Sequence, residues 1–252
     1  MAVLDVEGLT MSYADKKLYE DASFQLEKHE HMGIVGQNGA GKSTLIKILI
    51  GKVLPVDGSV KWQKGVKIGY LDQYVDIPAG MTLIEFLHTA FQELYQLNDQ
   101  MNKYYAEYAD KMDDSLLTKA GRIQEKLDAN NFYEIETRIE RVMNGLGLTD
   151  IGKDHVVSEM SGGQRSKIIL AKMLLENPDV ILLDEPTNYL DTAHIEWLTD
   201  YLNDFDGAAM IISHDYDFLE KVTNTICDVS FGKITKYRGS FQQAMRQKEE
   251  RK

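Results

Sequence analysis

Apolar and polar residues alternate in short runs at 3–11 and 18–26. A period of two belongs to a strand with one buried face, so the pattern predicts two antiparallel strands. A short run at 32–35 leads into a glycine-rich turn and then into Leu45, Ile46, Ile48, Leu49 and Ile50, ended by Gly51. That order reads as strand, loop and helix. Two more short strands are expected near 59–62 and 66–71, punctuated by Gly58, Gly65 and Gly69.

From 82 to 112 the period changes. Leu83, Leu87, Ala90, Leu94, Leu97, Met101, Tyr105, Tyr108 and Met112 recur in steps of three or four. This predicts one amphipathic helix about 45 Å long at ~1.5 Å per residue. Asp113, Asp114 and Ser115 bring turn and N-cap chemistry, and Leu116, Ala120, Ile123 and Leu127 resume the period up to Asn130 and Asn131. The pair predicts a helical hairpin at about 91–128 within a helical subdomain at about 82–175. The hairpin either protrudes or lies packed within that subdomain. After a further helix carrying Ile135, Ile139, Val142 and Leu146, strand and helix alternate again at 180–183, 195–202 and 210–213. The chain is therefore expected to be α/β.

Composition narrows the class. The 252 residues are 43% hydrophobic and 27% charged, as in an ordinary globular protein. No stretch approaches the ~20 uninterrupted apolar residues of a membrane span. The start MAVLDVEGL lacks the basic and apolar regions of a secretory signal, and the single cysteine, Cys227, makes no internal disulfide. A cytoplasmic protein that does not span a membrane is expected. The net charge of -12, from 28 basic and 40 acidic residues, argues against a general polyanion binder.

The chemistry lies in three motifs. Residues 36–44 read GQNGAGKST, and Gly36, Gly41, Lys42 and Ser43 fill every fixed position of a phosphate loop, after a strand and opening a helix. The backbone amides of Gly36, Gln37, Asn38, Gly39, Ala40, Gly41 and Thr44 suit a phosphate cradle at a helix N-terminus. Lys42 would reach the terminal phosphates and Ser43 would ligate Mg²⁺. The apolar run 180–183 then delivers Asp184 and Glu185, which suit a metal-facing aspartate and a base or water-orienting glutamate. Between them Ser161, Gly162, Gly163 and Gln164 head an apolar helix.

With SGGQ between those two motifs, the chain resembles an ATP-binding cassette (ABC) ATPase over nearly its whole length. The resemblance implies a phosphate-loop NTPase core with an antiparallel β subdomain and an α-helical subdomain carrying a hairpin arm. On that reading the cassette spans 1–240, and 241–252 starts an interdomain linker. ATP and Mg²⁺ are the implied ligands. By the family's motifs Tyr13 stacks on adenine, Gln73 touches Mg²⁺ and the attacking water, and His214 senses the γ-phosphate. Ser161, Gly162, Gly163 and Gln164 meet the γ-phosphate held by a second cassette, and Asp191 crosses the interface between the two. That second cassette is the implied partner, in a missing C-terminal half or by homodimerisation, and a lone cassette is expected to hydrolyse ATP slowly. His29 stands where the family often has a turn glycine. His29 and His31 flank Glu30, a pattern too weak for a metal site, while Trp62, Trp197 and Cys227 read as packing residues.

The run EPTNYLD at 185–191 and the hairpin resemble the ABC-F branch, translation-associated ATPases with two cassettes in one polypeptide. Tyr189 is the one departure from that branch's EPTNHLD. The tail YRGSFQQAMRQKEERK resembles the passage from cassette to linker. The branch implies the ribosome as a partner; the competing reading is the ATPase subunit of a membrane transporter with separate transmembrane chains. Within 95–130 stand five basic residues, Lys103, Lys111, Lys119, Arg122 and Lys126. Seven acidic ones oppose them, Asp99, Glu107, Asp110, Asp113, Asp114, Glu125 and Asp128. A net -2 arm is poorly suited to phosphate contact. The arm's contacts are then with protein, or with RNA through Tyr95, Tyr104, Tyr105 and Tyr108, unless those tyrosines pack the hairpin's own seam, which is the expected arrangement.

Overall fold

In the computed structural model, which describes residues 1–71 and 75–251, the two alternating runs pair as antiparallel strands β1 (Ala2–Tyr13) and β2 (Lys16–Glu27). Gln73 lies outside the described residues. Leu4, Val6 and Leu9 of β1 are fully buried, the step of three falling at the register shift between Val6 and Leu9. β3 (His31–Val35) precedes the glycine loop and α1 (Lys42–Leu49). β4 (Asp57–Trp62) joins the free side of β1, giving a sheet of order β2-β1-β4.

A second sheet contains β3, β5 (Ile68–Tyr70), β6 (Val180–Asp184), β7 (Ala208–Ile212), β8 (Thr225–Ser230) and β9 (Lys233–Arg238) in the order β5-β6-β7-β3-β8-β9. All neighbours are parallel except β8 and β9. Every residue of β7 is buried, which explains an apolar run without alternation. One core cluster joins Leu4 and Leu26, Leu45 of α1, and Ile34, Leu182 and Met210 of the parallel sheet.

The chain divides into two compact units, Met1–Asp72 with Asn177–Lys252, which holds both sheets, and Gln73–Glu176, which is helical. In the helical unit the region read as one long helix is broken. α2 (Leu83–His88) ends in a 3-10 turn, Thr89–Phe91, before α3 (Gln92–Lys111). The Thr89 hydroxyl donates to the Phe86 carbonyl at 2.5 Å, and the Phe91 ring is 4% exposed with the Arg138 guanidinium 4.9 Å from its centroid. Ala90 to Leu94 keeps a step of four through the break, so the period hides it. α4 (Asp114–Ala129) starts at an N-cap, Asp113, whose carboxylate accepts from the Ser115 amide.

Met101, Ala120 and Leu127 form the α3–α4 seam, with Tyr104 packed against it. Tyr95 meets Phe132 and His88 edge-on, and Tyr105 departs from the expectation, being 43% exposed. α5 (Ile135–Gly145) and α6 (Gly162–Glu176) complete this unit. Back in the first unit, α7 (Thr192–Asp204) follows β6, α8 (Tyr216–Val222) follows β7, and α9 (Phe241–Glu250) is the last element. Among the described residues no helix is long and apolar enough to cross a membrane.

Candidate functional site

Ile34, Asp184 and Ile212 occupy one row across β3, β6 and β7. The residues that follow each strand therefore leave the sheet along one edge, at the carboxyl ends where open α/β sheets hold their ligands. The glycine loop leaves β3, Glu185 leaves β6, and Ser213 and His214 leave β7.

The loop's glycines are dictated by close approach. A Cβ on Gly36 would lie 2.3 Å from the Val229 carbonyl oxygen. Gly41 combines a left-handed φ of 105° with the Tyr19 ring 2.9 Å from where a Cβ would stand. Lys42, only 8% exposed, donates to the carbonyls of Gly36 at 2.5 Å and Gln37 at 3.2 Å. Burial lowers its pKa, against the opposing pull of Glu185 and then Asp184. Lys16 braces the loop from β2 by donating to the Gly39 carbonyl at 2.7 Å.

The Ser43 hydroxyl donates to Asp184 Oδ2 at 2.7 Å, so a hydroxyl and a carboxylate stand together below the loop. Glu185 has φ 51°, a region that non-glycine residues rarely enter, fixed by its amide donating to the Ile212 carbonyl at 2.8 Å. The His214 amide donates to Glu185 Oε2 at 3.3 Å. The His214 imidazole Nε2 lies 3.4 Å from Glu185 Oε1 without hydrogen-bond geometry, and this oxygen is buried and unpartnered. Desolvation pushes the Glu185 carboxyl above its ordinary range; His214 and Lys42 pull it down and Asp184 pushes it up.

These groups share one cavity of about 590 Å³, lined by Tyr13, Lys42, Ser43, Asp184, Glu185 and His214 among others. Tyr13, at the end of β1, is 48% exposed and offers a ring face at the rim. Backbone amides of a glycine loop, a buried cation, a hydroxyl beside a carboxylate and a desolvated carboxylate are groups that can bind a polyphosphate and polarise a water against it. Lys16 and Tyr19 also belong to this region and carry no sequence signal, and Asn188 of the 185–191 run joins them at the cavity wall. Their roles depend on strand pairing and packing.

The remaining residues read from the sequence take local parts. Ser161 Oγ accepts from the Gln164 amide while the Gln164 side chain accepts from the Ser161 amide, both at 3.2 Å, so this pair caps α6 reciprocally. A Cβ on Gly162 would meet nothing within 4 Å. Asp191 caps α7, accepting from the His194 amide at 3.0 Å. Asp191→Ala should lower stability by about 1 kcal/mol and Asp191→Asn should retain it; equal unfolding midpoints for the two variants would refute the capping role. His29 sits in its turn without positive φ, contacting the Asp206 carbonyl, and His31 Nε2 lies 3.0 Å from the Gly207 carbonyl. Trp62 Nε1 donates to the Leu49 carbonyl, Trp197 stacks on Tyr201 and Cys227 is fully buried.

A family model described as ABC transporter matches residues 19–188. The ABC transporter ATP-binding protein YfmM of Bacillus subtilis (strain 168) is 43% identical over 97% of this chain and 48% of its own length. The energy-dependent translational throttle protein EttA of Escherichia coli (strain K12) is 35% identical over 87% of this chain and 40% of its own length. The chain thus spans about half or less of these relatives. A solved structure of the ATP binding subunit of an ABC transporter has the same fold, with TM-score 0.69 at 21% identity, covering 98% of this chain and 93% of that one.

Proposed function

The chain belongs to the ABC transporter family, as an ATP-binding cassette with a phosphate-loop α/β fold, and from that premise we propose that it binds ATP with Mg²⁺ in the cavity described above and hydrolyses it. The observation that carries this reading is the gathering of Lys42, Ser43, Asp184 and Glu185 round one cavity, with Glu185 Oε1 buried and accepting no hydrogen bond. A buried carboxylate oxygen left without a partner is costly unless a ligand or water uses it. The donor set fits magnesium, since a hydroxyl and a carboxylate oxygen already stand 2.7 Å apart. Ser43 and Asp184 would hold Mg²⁺, which supplies charge neutralisation on the phosphates when bound.

The chain's own groups do the rest. Amides of 36–44, apart from that of Ala40, which donates to the Gln37 carbonyl at 3.1 Å, cradle the phosphates, and Tyr13 covers the base. The Lys42 ammonium offsets charge that grows on the γ-phosphate. Glu185 accepts a proton from the attacking water, and His214 donates to the γ-phosphate while its backbone holds Glu185. Gln73 also belongs to this set. Ser161, Gly162, Gly163 and Gln164, with Asp191, serve the site of a second cassette, so one cassette alone turns ATP over slowly.

We further read the cassette as ABC-F type, with closure around ATP coupled to work on the ribosome and the segment from 241 leading to a linker. EPTNYLD, the α3–α4 hairpin and the kinship with a protein named translational throttle support this. The net -2 charge of 95–130 favours protein over RNA phosphate as the hairpin's contact. The transporter-subunit reading has the name of the Bacillus relative in its favour. Sedimentation separates the two. The intact protein carrying Glu185→Gln should pellet with ribosomes in ATP and leave them in ADP, whereas recovery with membranes in both would replace this reading by the transporter one.

A further inference from the structure

The loop that carries His214 is exposed, and one of its anchors lies outside every motif. The His214 side chain is 51% exposed, between Ser213 at the end of β7 and Asp215, the N-cap of α8. The Asp215 amide donates to Ser213 Oγ and its carboxylate accepts from the Phe218 amide, each at 3.0 Å, so the loop continues rigidly into α8. The position of His214 is thus the position of α8.

α8 is only seven residues long, too short to be stable alone. One face of it rests on α9. The Tyr216 ring stacks on Phe241 with centroids 4.6 Å apart and planes 8° from parallel. One turn on, Glu220 accepts from the Gln242 amide at 2.8 Å. α9 is itself fixed at both ends: Ser240 and Gln243 form a capping box, and Lys248 pairs at 2.8 Å with Asp228, whose side chain is 5% exposed. Asp228 precedes Val229, the residue whose carbonyl abuts Gly36. One helix therefore braces the His214 loop at its start and the strand behind the phosphate loop at its end.

We infer that α9 positions His214 toward the terminal phosphate through the Tyr216–Phe241 stack, which makes Phe241 a positioning residue of the nucleotide site. This rests on the reading of His214 as the group facing the γ-phosphate. The stack is a surface contact, Tyr216 being 47% exposed, so its chief effect is on geometry and not on the core.

The test is calorimetric titration of the full chain with ATP and with ADP in Mg²⁺, alongside melting curves. His214→Ala should reduce the ratio of ATP to ADP affinity by about fivefold. Phe241→Leu, which keeps apolar volume and removes the flat ring, should reduce it in the same direction with ADP affinity unchanged within about twofold and the melting point nearly unmoved. Phe241→Tyr should restore the ratio. The double variant His214→Ala, Phe241→Leu should fall no further than His214→Ala alone. If His214→Ala leaves the ratio intact, the reading of His214 fails and the inference with it. If His214→Ala lowers the ratio and Phe241→Leu does not, or the two effects add, the inference alone is overturned.

Discussion

Glu185→Gln should slow ATP turnover by about 10²- to 10³-fold while leaving ATP affinity almost unchanged. Amide and carboxylate have the same shape, so the amide donated by His214 and the left-handed backbone held by Ile212 survive the change. What disappears is the capacity to take a proton from water. Single-turnover phosphate release and ATP titration on the intact protein measure the two quantities, and turnover at the normal rate would show that Glu185 is not the base.

The same substitution has a second signature, of known sign. Desolvation raises the Glu185 pKa above its ordinary value of 4.5. The folded state therefore binds this proton more tightly than the unfolded state, and the stability it contributes below pH 4.5 is lost as pH rises through the raised value. Glutamine has no such loss. The melting point of the variant relative to wild type should rise between pH 4 and pH 7, in step with the onset of wild-type activity; a constant difference would mean that the carboxyl is not strained by burial.

Those two signatures rest on different kinds of information. The motif containing Asp184 and Glu185 is legible because a fully apolar strand must be buried and its first polar residues must emerge at an edge. The phosphate loop is legible because its four fixed positions, Gly36, Gly41, Lys42 and Ser43, are local in sequence, and the α/β class follows from the change in period. The unpartnered Oε1 is different: it depends on how the β7–α8 loop passes Glu185, which no local pattern records. The same holds for Lys16 on Gly39, Tyr19 under Gly41 and Lys248 on Asp228, pairs whose members belong to different elements or loops and stand up to 23 residues apart along the chain.

Two local readings also met competing physics. The 82–112 period is unbroken because the 3-10 turn at Thr89–Phe91 keeps apolar positions in phase, and only the burial of Phe91 reveals the break. In SGGQ, Ser161 and Gln164 are committed to capping α6, which a reading centred on anion binding overlooks. The cap occupies Ser161 and Gln164, while the space where a Gly162 Cβ would stand is open.

Lys42→Met should weaken ATP binding by about 10- to 100-fold, the scale of a lost charge-assisted hydrogen bond in a dry site. Two of the three ammonium donors are spent on the Gly36 and Gln37 carbonyls, which leaves one for a ligand in the cavity that Lys42 lines. Methionine keeps the length and apolar stem, so the fold of α1 is spared and the loss falls on the phosphates. Its pH signature is opposite to that of Glu185→Gln. Burial lowers the Lys42 pKa below 10.5, so the folded state binds this proton less tightly than the unfolded state and wild-type stability rises as pH climbs through that window. The melting point of Lys42→Met relative to wild type should therefore fall between pH 7 and pH 10. Equal ATP affinity in titrations of the two proteins would remove Lys42 from the site, and a relative melting point that climbs with pH would mean that its carboxylate neighbours outweigh burial.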